Sequence, residues 1–365
     1  MRVGLVLEQC LAPVPGGTGR YSREIAAALA RRAPGGSAVA GVTAWHRDPE
    51  PAAVPGVAGP RRLPLGRRGL IAAWERGLGP AVPGDLVHAP TPLAPPRRRT
   101  PLVVTVHDAV AWTHPETLTP RGVRWHRSVI GRAARTADLL VVPTRAVADE
   151  LRRHVDIGAD RLRVVGEGVS GDLTLPADAQ RRAAALALPE RYLLTVATLE
   201  PRKGLSVLLE ALARPQAPDL PLLVVGQPGW GGLDLATEAA RLGLGDRVRM
   251  LGRVPDADLA VLFTRATAVV VPSRAEGFGL PLLEAMHAGT PVVTSPAAAL
   301  VEVGGGAALV AADDELTDVL REVADDAGLR ARLSAAGRTR AAAYTWDGAA
   351  DALWAAYAEI LGRPA

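Results

Sequence analysis

Short runs of valine and leucine alternate with alanine-rich stretches through nearly the whole chain. In the first half the apolar runs fall at 3–7, 39–45, 86–89, 102–107, 139–142 and 162–165. In the second half they fall at 192–197, 222–225, 248–251, 268–271, 292–294 and 308–310. Helical segments are expected between them, at about 20–32, 121–136 and 145–154 in the first half. Strands alternating with helices predict parallel sheets covered by helices. The stretch 168–189, with Gly168, Gly171, Pro176 and Pro189, reads as the linker. The expected fold class is therefore α/β: two Rossmann-like βαβ domains facing each other across a cleft, with ligands at the carboxyl ends of the strands. No repeat of 20–50 residues interrupts that pattern, which argues against a solenoid.

Length agrees, because 365 residues exceed what one hydrophobic core of ~250–300 residues accommodates. No apolar run approaches the roughly 18 residues needed to span a bilayer. The first residues read as a strand rather than a signal peptide. A single cysteine, Cys10, excludes disulfides within the chain and any cysteine-rich zinc site, and a cytoplasmic location is expected.

Charge divides the chain unevenly. Residues 1–168 hold 24 arginines and 14 acids, a net of +10, whereas residues 169–365 carry a net of −6. A basic half calls for an anionic partner: nucleic acid, a membrane surface or a phosphate-bearing acceptor. With only two Phe and four Tyr and no binding motif, nucleic acid is disfavoured. Around a helical wheel Arg121, Arg124, Arg132 and Arg135 fall within about 80°, flanked by Trp125. That stripe, with Arg97-Arg98-Arg99, reads either as a solvated face or as a peripheral contact with anionic lipid.

Three segments carry chemistry. The turn Pro15-Gly16-Gly17-Thr18-Gly19-Arg20 follows the first strand, and its glycines let backbone approach a ligand beside a helix N-terminus. It lacks the third glycine of a dinucleotide fingerprint. The strongest signal is Pro272-Ser273-Arg274-Ala275-Glu276-Gly277-Phe278-Gly279-Leu280-Pro281, leading into a helix that carries Glu284. Its backbone N–H groups suit hydroxyls or phosphates, Pro281 suits a first helical turn, and the two carboxylates suit vicinal hydroxyls. The third is Lys203, the only lysine among 42 basic residues, beside Arg202. A compact point charge in a chain that otherwise uses arginine marks a specific requirement. Asp256-Ala257-Asp258 resembles a metal-binding pair, but its place after Pro255 at a helix start is explained more simply by capping and helix-dipole pairing. The seven histidines show no zinc spacing.

The Glu276–Glu284 segment resembles the signature of retaining family-4 glycosyltransferases of the GT-B fold: two glutamates with seven residues between them in a Pro-Ser-x-x-Glu-Gly-Phe-Gly-Leu-Pro-x-x-Glu-Ala-Met context. The similarity extends to Ala288-Gly289-Thr290-Pro291, to Thr198-Leu199-Glu200-Pro201-Arg202-Lys203-Gly204, to Leu251-Gly252-Arg253-Val254 and to Thr105-Val106-His107-Asp108. It covers most of the chain, is thinnest over 46–85, and is greatest toward mannosyltransferases of bacterial polysaccharide assembly.

The resemblance implies roles. Lys203 and Arg202 would bind the donor diphosphate, Glu276 the donor-sugar hydroxyls, Glu284 the ribose, and the backbone of Gly277, Phe278, Gly279 and Leu280 the sugar or phosphate. Arg253 would lie near the nucleobase, Thr198 near the phosphates, and Gly16 and Gly17 would approach the diphosphate from the other domain. His107 would bond the donor sugar, and Asp108 would hold the acceptor or shape the turn. Two departures stand out: Thr198, where many relatives carry Arg, and Glu167, where Asn is frequent. The implied domains are 1–170 for the acceptor, 171–345 for the nucleotide sugar, and 346–365 as a helix crossing back to the first domain. The implied reaction moves a hexose from a nucleotide diphosphate sugar, GDP-mannose first, to a hydroxyl of a glycan, lipid-linked or small-molecule acceptor, without metal or cofactor. A UDP-sugar donor is the alternative within the class; a non-catalytic nucleotide-sugar-binding protein is the alternative outside it, and a dehydrogenase comes third.

Overall fold

The computed structural model describes residues 1–97 and 99–362 and divides into two compact units. Unit 1 comprises Met1–Gly168 together with Thr345–Ala365, and unit 2 comprises Val169–Tyr344.

Unit 1 is built on seven strands: β1 (Arg2–Val6), β2 (Ala38–Trp45), β3 (Ala58–Gly66), β4 (Leu86–Ala89), β5 (Leu102–Thr105), β6 (Leu139–Val142) and β7 (Leu162–Val164). All pairings are parallel, in the order β3-β2-β1-β4-β5-β6-β7. The central strands are apolar on both faces because helices cover both, and Val104, Leu140, Val142, Val129 and Trp74 share one core cluster. Chain direction out of β1 reverses the strand order between β1 and β4, which makes that junction the switch point where an open α/β sheet binds ligands.

Unit 2 repeats the plan with β8 (Leu193–Val196), β9 (Leu222–Val225), β10 (Val248–Gly252), β11 (Ala268–Val271), β12 (Val292–Thr294) and β13 (Leu309–Val310). These too are all parallel, ordered β10-β9-β8-β11-β12-β13, with the switch point between β8 and β11. Leu193, Val224, Val270 and Val293 from the strands pack with Leu208 and Leu320 from helices.

Several expectations need correction. The stretch 46–85, where the resemblance is thinnest and the sequence pattern assigns no element, forms β3 and the helix Arg67–Glu75. The first helix starts at Gly16, not near Arg20, so Gly16, Gly17 and Gly19 form its first turn rather than a loop before it. β5 ends at Thr105, which leaves His107 in the following loop rather than on the strand. Most of the expected linker belongs to unit 2, where the helix Ala179–Ala185 is tied down by Arg182 bonding both Asp178 and Asp258 at 2.8 and 2.7 Å.

The last helix, Trp346–Ile360, is capped by the Thr345 hydroxyl and packs on the first helix, Gly16–Arg31, within unit 1. Arg32 makes a two-pronged pair with Asp351, both bonds 2.8 Å, and the Trp354 indole donates to Leu29 O at 3.0 Å. The exposed ion pairs add little individually; the buried Trp354 and Tyr357 carry the docking.

On the helix Pro120–Thr136, Arg121, Arg124 and Arg135 are exposed, but Arg132 turns inward to the Trp74 carbonyl, and Trp125 packs against the core cluster rather than flanking a free face. Arg98 lies outside the described residues; beside it, Arg97 pairs with Asp138 at 2.9 Å. Among the described residues no helix is long and apolar enough to cross a membrane.

Candidate active site

The switch point of unit 2 gathers the motif residues. The loop leaving β8 carries Thr198, Glu200, Arg202 and Lys203, and the loop leaving β11 carries Ser273 and Glu276. Their meeting depends on Gly204, in the left-handed region at φ 66°, where a Cβ would stand 1.9 Å from Pro272 O. Only glycine allows that approach, which brings two segments some seventy residues apart into register. The backbone joins them as well, since Arg274 N–H donates to Arg202 O at 2.8 Å.

Glu276 is the hub. It accepts from Lys203 Nζ at 2.5 Å, Ser273 Oγ at 2.8 Å and Arg202 Nη1 at 3.3 Å. Burial opposes its charge, but the Lys203 and Arg202 cations and the two hydrogen-bond donors overcome it and hold its carboxyl at about 2. For Lys203 burial acts first and the Arg202 cation second; together they outweigh Glu276 and Glu200, so the ammonium discharges more readily than a free lysine. Glu200 completes the cluster by accepting from Thr198 Oγ1 at 2.9 Å and Arg202 Nε at 3.2 Å. Thr198 thus reaches the cluster through a carboxylate that sequence reasoning left unassigned, as it did Ser273. Both lie within runs that carry the resemblance, Ser273 in Pro-Ser-x-x-Glu and Glu200 in Thr198–Gly204, but neither was given a role.

Past Glu276 the chain turns through Gly279, at φ 93°, into the helix Leu280–Ala288, with Pro281 in its first turn. Pro281 has no N–H, and those of Leu282 and Leu283 donate to Gly279 O at 3.0 and 3.2 Å, so what the start of this nine-residue helix offers an oxyanion is the positive end of its dipole. The Phe278 side chain is buried edge-on against Tyr344, at 5.5 Å between ring centroids, so only its backbone is free to serve a ligand. Glu284 is buried one turn into that helix. Arg253 stands apart: it is exposed and follows Gly252 at the end of the edge strand β10. Asp258 is engaged by Arg182, while Asp256 and Asp258 lie in the first turn of the helix Asp256–Arg265 with no side-chain cap, so the helix dipole and an ion pair account for them rather than capping.

Unit 1 assembles a second group. His107 Nε2 lies 2.8 Å from Pro90 O, beyond β4, and Nδ1 lies 3.6 Å from the Glu167 carboxylate, beyond β7. The Tyr21 ring meets it edge-on at 4.6 Å. Burial opposes charge on the ring; Glu167, then Pro90 O and Asp108, reverse the balance, so its pKa rises. Asp108 also accepts from Val110 N–H at 3.1 Å and so shapes the turn into the short helix that follows. Gly16 and Gly17 lie in the helix that supplies Tyr21. Behind this group runs a buried chain: Tyr357 OH to His88 Nδ1 at 2.5 Å, His88 Nε2 to Thr105 Oγ1 at 2.9 Å, and Thr105 to Tyr21 OH at 3.3 Å. Burial, with the His107 charge second, drops the His88 pKa to about 3 and keeps that ring neutral.

Two doubly wound parallel sheets, each with its polar cluster at strand carboxyl ends, define the GT-B class. The Anabaena protein HepE, solved in complex with UDP and glucose, has this fold, with a TM-score of 0.75 and 22% identity over 98% of this chain and 100% of that one. The description "Glycosyltransferase Family 4" matches residues 15–172 and "Glycosyl transferases group 1" matches 176–340. D-inositol 3-phosphate glycosyltransferase of Streptomyces avermitilis is 36% identical over 325 residues, spanning 80% of this chain and 68% of that protein. O-antigen chain mannosyltransferase B of Escherichia coli is 32% identical over 269 residues, 69% of this chain and 68% of that one. The chain belongs to glycosyltransferase family 4.

Proposed function

We propose that this glycosyltransferase moves a hexose from a nucleotide diphosphate sugar to an acceptor hydroxyl with retention at the anomeric carbon, and that it needs no metal. The observation carrying the reading is the Lys203–Arg202–Glu276 cluster at the switch point of unit 2. Breaking an anomeric C–O bond builds positive charge on the sugar and negative charge on the departing diphosphate. Lys203 and Arg202, with the first turn of the helix Leu280–Ala288, stabilise that leaving group and do the work a divalent ion does elsewhere. Glu276, ionised at neutral pH, accepts donor-sugar hydroxyls; Glu284 takes the ribose, and Thr198 and Arg253 contribute at the phosphates and base. The acceptor attacks on the face the diphosphate leaves, and a phosphate oxygen takes its proton.

GDP-mannose is the leading donor, in keeping with the mannosyltransferase relative. A UDP-sugar is the second reading, favoured by the UDP and glucose bound to the similarly folded HepE. The arginine-rich first half suits an anionic acceptor, and the inositol phosphate glycosyltransferase makes a small phosphorylated polyol one choice. In the alternative case exposed Arg121, Arg124 and Arg135 offer a cationic surface to an anionic membrane that carries a glycolipid acceptor.

Calorimetric titration with GDP, UDP, dTDP, ADP and NAD in the presence of EDTA tests the reading. Selective binding of GDP supports the mannosyl donor, and selective binding of UDP moves the choice to the second reading. Binding of NAD alone, or of a nucleotide only after metal is restored, overturns it.

A further inference from the structure

The two faces of the His107 ring plane are less informative than its two nitrogens. A carbonyl oxygen can only accept, so the 2.8 Å contact to Pro90 O requires a proton on Nε2. The other nitrogen faces a carboxylate at 3.6 Å, an ion-pair distance longer than a hydrogen bond. Both groups are held away from water: the His107 side chain is 12% exposed and that of Glu167 is 5% exposed. An opposite charge in such a site acts through a low dielectric and is screened little by salt.

We infer that Glu167 is a positioning residue acting through His107: with Pro90 O it fixes the ring with a proton on each nitrogen, so that the loop after β5 presents a positive charge instead of a base. Among the described residues Glu167 is the acid that pairs with the ring. Asp108, on the same loop, adds attraction, and its carboxylate is occupied by Val110 N–H. Tyr21, from the helix Gly16–Arg31, offers a ring edge, and burial pushes its hydroxyl well above the ordinary phenol range, so it stays neutral. His88, from β4, is neutral as well, and Trp346 meets Tyr21 rather than the imidazole. The charge of the ring is therefore set by Glu167 against burial.

The consequence for chemistry is specific. An imidazolium has no lone pair with which to take a proton, so His107 does not deprotonate an acceptor hydroxyl; with Nε2 on Pro90 O and Nδ1 facing Glu167, what it supplies to the site is charge. That use rests on the glycosyl-transfer reading, whereas the charge itself rests on unit 1 alone.

The test uses full-length protein with ¹⁵N-labelled histidine, read by long-range proton–nitrogen correlation from about pH 6 to about pH 8, astride the ordinary histidine value of ~6.5. In the wild type both His107 nitrogens are expected at imidazolium positions at about pH 7.5. In Glu167→Gln the ring is expected neutral there, and Glu167→Asp is expected to restore much of the charge. A neutral ring in the wild type overturns the inference without recourse to any variant, and an imidazolium that persists in Glu167→Gln overturns the role of Glu167. Once the calorimetric panel has fixed the donor, kcat against pH is the second readout. The wild-type to Glu167→Gln ratio should widen about tenfold per pH unit above the ring pKa of the variant. A ratio independent of pH would mean that Glu167 serves only as structure. If no donor is turned over, the glycosyl-transfer reading fails while the nitrogen spectra still decide the charge.

Discussion

The two units each bury a cation against a glutamate at the end of a parallel strand, yet the glutamate does opposite work in the two places. In unit 2 the charges of Lys203 and Arg202 are intrinsic, and they hold Glu276 ionised down to about 2. In unit 1 the carboxylate governs, and Glu167 first, then Pro90 O and Asp108, raise the His107 ring against burial. Neutralising the acid should therefore leave cations behind in unit 2 and remove one from unit 1. Clusters of similar outline thus respond to the same substitution in contrary ways.

The largest effect should come from the cation that nothing can replace. Lys203→Ala is expected to lower turnover by ~10²-fold or more, measured as kcat with the donor identified by calorimetry, because a preorganised charge on the leaving group is lost. Turnover near the wild-type value would remove the functional half of the comparison. Next comes the acid side of stability. The depressed pKa of Glu276 gives unit 2 stability that is fully present above the unfolded-state carboxyl value of ~4.3 and is lost as pH falls from there toward about 2. Denaturant melts between about pH 5 and about pH 2.5 should show that slope in the wild type and a shallower one in Glu276→Gln.

The His107 contribution has the opposite sign and a smaller size. Its raised pKa adds stability below the unfolded value of ~6.5, and this is lost as pH rises through the folded pKa. Melts of the wild type should weaken across that window, while those of Glu167→Gln should stay flatter. A matching slope in both proteins would break the contrast between the units. The smallest effect per side chain belongs to the surface. Co-sedimentation with phosphatidylserine vesicles at low salt should be weakened by replacing Arg121, Arg124 and Arg135 with Ala, by about 1 kcal/mol per side chain near the lipid, and should vanish in the wild type at high salt.

Central strands such as β5 and β6 were legible because burial on both faces leaves them almost nothing but Val and Leu. The strand β3 was not: its sequence, AGPRRLPLG, contains two prolines and two arginines, tolerable only because it lies at the edge of the sheet, where proline costs no central hydrogen bond. Lys203, Glu276 and Gly277–Leu280 stood out because their chemistry is packed into short motifs. Their assembly was hidden, since it depends on Gly204 passing against Pro272 and on Glu200 and Ser273 filling the remaining positions. Glu167 could be seen as a departure, but its partner lies sixty residues earlier, and only the parallel order β5-β6-β7, which puts the loops after β5 and β7 at the same end of the sheet, shows why an acid stands there.

The helix Trp346–Ile360 also sets an order of birth. Unit 1 is written in two pieces, and everything from Val169 to Tyr344 is synthesised between them. At roughly 5–20 residues per second, that interval lasts on the order of 10 to 30 s. Throughout it the Leu29 carbonyl and the His88 ring lack the Trp354 indole and the Tyr357 hydroxyl that meet them in the finished protein. The contacts that close unit 1 thus cannot form until all of unit 2 has been synthesised.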